Sequence, residues 1–138
     1  MGTRAVYVFH DGVKTDDRCF VYKHYDNYPQ GAVGFIEAAK AYAWPFPRFE
    51  ADEFAAAFVA ANKNPKGGEV RIMSVRQFET DADLKQMYTY CDYWYEITFD
   101  QEKGDLIVTT SRVRDDGTGW KTLASMPLEE MKRRYKIV

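Results

Sequence analysis

The hydrophobic pattern changes period along the chain, and the changes mark its elements. Residues 5–9 (Ala-Val-Tyr-Val-Phe) are a short apolar run of good β-formers and predict a strand. Asp11-Gly12 opens a turn, and the polar run to Arg18 extends it. Residues 19–25 predict a second strand, paired antiparallel with the first. Its alternation puts Phe20, Tyr22 and His24 on one face and Cys19, Val21, Lys23 and Tyr25 on the other. Over 30–43 the apolar positions Val33, Ile36, Ala39 and Tyr42 or Ala43 follow a helical period. Asp26 or Asn27 is placed to cap that helix, and Pro29 suits its first turn. Trp44-Pro45-Phe46-Pro47 ends it, because proline disfavours helix at the preceding residue and lacks a backbone donor. A second helix is predicted from about Ala51 to Asn62, with Ala51, Phe54, Ala55, Phe58 and Val59 on one stripe and acidic residues at its start.

Strand patterns dominate the second half. Strands are predicted at 70–75, 91–99, 105–113 and 120–125, with hairpin turns at 100–104 and 115–119. Residues 80–86 are ambiguous: one helical turn capped by Thr80, with Asp83 three residues on, fits them. A short helix starts at Pro127, with Glu129 and Glu130 in its first turn and Lys132, Arg133, Arg134 and Lys136 in its last. Together these elements predict one α+β domain over 1–138. It is an antiparallel sheet of about five to six strands, with two central helices and a short C-terminal helix packed on it.

Composition narrows the possible functions. The chain has 138 residues, a net charge of −2 and a sequence pI near 5.7, so no overall positive field recruits nucleic acid. Residues 69–125 carry eleven acidic and seven basic side chains, a net of −4, which argues the same way for the aromatic segment within them. No apolar run is long enough for a membrane span. The opening residues do not resemble a secretory signal, and Val6 stands where a myristoylation signal needs Ser or Thr. Cys19 and Cys91 lie far apart with no metal-ligand spacing, so they are expected to be buried thiols in the cytoplasm, without a metal or cofactor. No nucleotide-loop, nucleophile-elbow or zinc-protease motif occurs, and no catalytic residue is assigned.

Two groups of residues stand out. Arg4, Lys23, His24, Asp26, Tyr28 and Gly31 could line a pocket for a small phosphate-bearing ligand or a nucleotide, in a binding protein or an enzyme. The basic side chains would meet the anion, Asp26 could orient His24, and the helix start near Gly31 offers free N–H groups. Aromatic residues make up 16% of the chain, with ten tyrosines, so Tyr88, Tyr90, Tyr93, Trp94 and Tyr95 form a candidate protein-binding surface. A homodimer through these aromatic strands is a third expectation.

The opening Met1-Gly2-Thr3-Arg4 and the segment Tyr22-Lys23-His24-Tyr25-Asp26-Asn27-Tyr28-Pro29 resemble a group of small uncharacterised bacterial and phage proteins. These open with M-G-T-R and carry a Y-[KR]-x-x-D-G-Y-P-like segment before a helix. The likeness covers about the first third of the chain. It departs at Asn27, where the group often has Gly; asparagine tolerates the left-handed geometry such a turn needs. The resemblance implies that the segments around Arg4 and 22–31 form one unit. It also implies a phage setting, with a counter-defence or host-takeover role exerted by binding a protein.

Overall fold

The computed structural model describes residues 3–11, 17–63, 69–73 and 80–135. The expected loops at 12–16 and 64–68, the end of the strand predicted at 70–75, and Lys136 lie outside them. The order of elements is β1 (Ala5–His10), β2 (Arg18–Lys23), α1 (Pro29–Ala39), α2 (Ala51–Asn62), β3 (Val70–Ile72), α3 (Asp81–Met87), β4 (Tyr93–Asp100), β5 (Asp105–Val113), β6 (Trp120–Pro127) and α4 (Leu128–Arg134). The six strands form one sheet in the order β3-β2-β1-β4-β5-β6.

The sheet is mixed, which corrects the expectation of an antiparallel one. β1 and β4 run parallel, with Tyr7 opposite Tyr95, while every other neighbouring pair is antiparallel. The cause is the connection from β3 to β4. It carries α3 across the sheet instead of turning back in a hairpin, so β4 pairs beside β1 and points the same way. The ambiguous segment is therefore a fourth helix. Its capping box is complete: the Thr80 hydroxyl accepts from the Asp83 N–H, and the Asp83 carboxylate accepts from the Thr80 N–H.

The two faces of the sheet are covered differently. On one, Tyr7, Phe9, Val21, Tyr95, Ile97, Leu106 and Val108 pack against α1, α2 and α4 through Val33, Ile36, Phe54, Phe58, Leu128 and Met131. On the other, Val6, Val8, Phe20 and Trp94 pack against Leu84 of α3 and against Cys91. The predicted alternation of β2 is visible here, with Phe20 and Tyr22 on the α3 face and Cys19 and Val21 on the other. The basic end of α4 is partly tied down, since Lys132 pairs with Glu37 of α1 and with Glu129. Asp105 supplies the cap that α4 lacks locally, accepting from the Glu129 N–H at 3.0 Å.

The turn into α1 differs from its expected form. The left-handed residue is Asp26, with φ of 63°, and Asn27 is wholly buried. Neither caps α1: Tyr28 is the N-cap, with no side-chain cap bond. The Asn27 side chain instead accepts from the Tyr7 hydroxyl and donates to the Thr3 and Lys23 carbonyls, and its own carbonyl accepts from the Tyr95 hydroxyl. The two segments that carry the resemblance thus meet at one buried amide.

Candidate functional site

The uneven cover of the α3 face leaves a cleft at its β3 end, between the strands β2 and β3 and the chain that follows α3. Its volume is about 580 Å³, within the range of small-molecule sites. Tyr22, His24, Glu69, Arg71 and Met73 come from the strand side, Tyr88 and Tyr90 from the turn after α3, and Arg4 from the residue before β1; Ile72 completes the lining.

Local backbone bonds set these positions. Arg4 is locked to the start of β4: its N–H donates to the Asp92 carboxylate at 3.0 Å, and its carbonyl accepts from the N–H groups of Asp92 and Tyr93. On the strand side, the His24 N–H donates to the Glu69 carbonyl, which continues the pairing of β2 with β3 past the end of the strand. Beyond α3, the Cys91 N–H donates to the Tyr88 carbonyl, and this tight turn presents Tyr88 and Tyr90 side by side, ring centroids 5.5 Å apart.

The electrostatics favour an anion. Arg71 is paired with Glu69, and that pairing holds the Glu69 carboxyl below its usual range. The Arg4 guanidinium has no ion-pair partner among the described residues. With His24 neutral, the formal charge of the lining is Arg4 plus Arg71 minus Glu69, or +1, in a chain of net −2. The Tyr22 hydroxyl lies 2.7 Å from Nδ1 of His24. Burial raises the Tyr22 pKa, so the phenol keeps its proton at neutral pH. Desolvation, with Cys91 and Tyr88 close by, pushes the Tyr90 hydroxyl up to about 12. At neutral pH the cleft therefore offers guanidinium, imidazole N–H and phenol donors. Buried Cys91 is also pushed up to about 12, mainly by burial, and is an inert thiol there.

Only part of each group read from the sequence reaches this cleft. From the expected ligand pocket, Arg4 and His24 line it. Lys23 sits on the opposite face, buried, with Nζ over the Phe35 ring and donating to the Tyr25 carbonyl; desolvation lowers its pKa. Asp26 is exposed in its turn, and the bonding partner of the His24 ring is Tyr22, not Asp26. Tyr28 is exposed at the start of α1. Gly31 packs tightly against the preceding turn: a Cβ there would fall 2.0 Å from the Asp26 carbonyl oxygen, and its N–H donates to the Tyr28 carbonyl. From the expected protein-binding surface, Tyr88 and Tyr90 line the cleft, whereas Tyr93, Trp94 and Tyr95 are buried, the tyrosines on one face of the sheet and the tryptophan on the other.

The sequence reading missed Glu69, Arg71, Ile72 and Met73 and left Tyr22 out of the pocket. The alternation of β2 already puts Tyr22 beside His24, a usable signal. The β3 residues became neighbours only through a pairing across some fifty residues of chain. The chain matches no protein-family model, no curated protein and no solved structure.

Proposed function

We propose that the protein binds a small anionic molecule, bearing a phosphate or carboxylate, in the cleft of Arg4, Tyr22, His24, Arg71, Tyr88 and Tyr90. The Arg4 guanidinium, with no ion-pair partner among the described residues, is the observation that carries this. An arginine lining a cleft, held at the backbone by three hydrogen bonds and lacking a carboxylate among the described residues, suits a planar bidentate anion. Binding stabilises the folded state, and a ligand at 100 times its dissociation constant adds about 2.7 kcal/mol. Thermal-shift measurements against a panel of phosphates and carboxylates should find compounds that raise Tm, and Arg4→Gln should abolish the rise. A panel without a single stabilising compound overturns the proposal.

A protein-binding role of the kind the resemblance implies is a second reading. Seven of the ten tyrosines keep some exposure, and Tyr25, Tyr28 and Tyr42 are exposed outside the cleft. Under that reading, a partner captured by the wild-type protein is lost with Tyr28→Ala/Tyr42→Ala and kept with Arg4→Gln. The opposite pattern returns the partner to the cleft.

A further inference from the structure

The cleft is larger than a lone phosphate or carboxylate needs, and its walls differ in chemistry. Arg4 and the His24 ring offer donors, while the turn after α3 offers two aromatic rings. Tyr90 is 57% exposed and shares the lining of the cleft with Arg4. Arg4 lines the cleft together with Tyr22 on the strand side and Tyr90 on the other. An anion joined to a flat ring system would engage both.

We infer that the ligand is a nucleoside monophosphate, its base lying on the Tyr88–Tyr90 rings and its phosphate on Arg4. This rests on the cleft being an anion site. Rings of this kind stack any base, and the Arg4 guanidinium suits the oxygens of a phosphate. The single excess positive charge matches one phosphate group. A polynucleotide fits poorly, because Glu69 stands at the cleft and residues 69–125 carry a net −4.

Isothermal titration of the full chain with the four common nucleoside monophosphates, ribose 5-phosphate and a short single-stranded oligonucleotide tests this. At least one mononucleotide should bind about tenfold tighter than ribose 5-phosphate, the scale of one lost stacking contact. Tyr90→Leu, with folding checked by circular dichroism, should remove that advantage by weakening the mononucleotide at least about tenfold more than ribose 5-phosphate; Tyr90→Phe should keep it; Arg4→Gln should weaken every phosphate compound. Equal binding of ribose 5-phosphate and all four mononucleotides by the wild-type chain overturns the nucleotide inference and leaves the anion site standing. Tighter binding of the oligonucleotide than of any mononucleotide also overturns it. If none of these phosphates binds while a carboxylate stabilises the fold, the nucleotide inference falls alone. If no anion binds at all, the anion site falls with it.

Discussion

Asn27 shows how much one side chain can organise. Its amide closes three bonds in the interior, and removing it deprives the Tyr7 hydroxyl and the Lys23 carbonyl of a partner, while the Thr3 carbonyl keeps the Asn27 N–H. Each unsatisfied buried group costs about 1–3 kcal/mol. Asn27→Ala should therefore lower stability by at least about 2 kcal/mol, seen as a lower urea midpoint at unchanged slope. A loss under about 1 kcal/mol would mean that water replaces the amide. Gly31 makes a complementary case. Its Cβ position is occupied by the Asp26 carbonyl oxygen, so Gly31→Ala must push the Asp26 turn away from α1. The expected cost is about 1–3 kcal/mol of overpacking, although alanine is the better helix former. A Gly31→Ala variant as stable as wild type would show that the turn gives way freely. Neither role was legible in the sequence. The motif marked a turn correctly, but nothing in a one-dimensional pattern shows that phenols from β1 and β4 converge on Asn27.

At the scale of elements, legibility followed locality. α2 and the β4–β5 and β5–β6 hairpins were readable because their signals, an apolar stripe and turn residues between strands, lie within a few residues of each other. The parallel contact of β1 with β4 was not, because it is set by where α3 crosses and by burial on two faces at once. The cleft shares that origin, since its two walls are joined through α3. α3 has only seven residues, a length at which an isolated helix is marginal, so its cap and its packing hold it. The indole N–H of Trp120 donates to the Lys85 carbonyl at 2.6 Å, and the Trp120 ring lies 5.9 Å from that of Trp94. Thr80→Ala removes the cap and should cost about 1 kcal/mol. Because one end of α3 carries Tyr88 and Tyr90, amide exchange in 81–88 should accelerate before that of β4 and β5. Affinity for the best anion found should fall more than Arg4-dependent discrimination does. Uniform acceleration across the sheet would contradict an independently opening α3.

The molecule as a whole has a weakness at alkaline pH that follows from what its core contains. Tyr7 and Tyr95 stack between the sheet and the helices at a centroid distance of 5.0 Å, and burial raises both hydroxyls above their ordinary value of 10.0. Buried Cys91 rises from 9.0 to about 12. An acid whose pKa is raised by folding keeps its proton in the folded chain while the unfolded chain releases it. Its contribution is fully present below the unfolded pKa and is lost as pH rises toward the folded one. Cys91 therefore begins to destabilise the fold near pH 9 and continues to about 12, and the two tyrosines join from pH 10 upward. Within its window each group removes up to about 1.4 kcal/mol per pH unit. Urea midpoints should show no pH dependence from these groups near neutral pH, a shallow decline above about pH 9, and a steeper one above about pH 10. Cys91→Ala should lessen the shallow part, of which Cys19, also raised from 9.0 by burial, keeps a share, and should lower stability modestly at all pH values, because a small cavity replaces the sulfur. The steep part should survive in that variant, since it belongs to phenols bonded to Asn27. A stability profile level to about pH 11 in both proteins would mean that the two phenols ionise as easily in the folded chain as in the unfolded one, and so that they are not held in a closed interior.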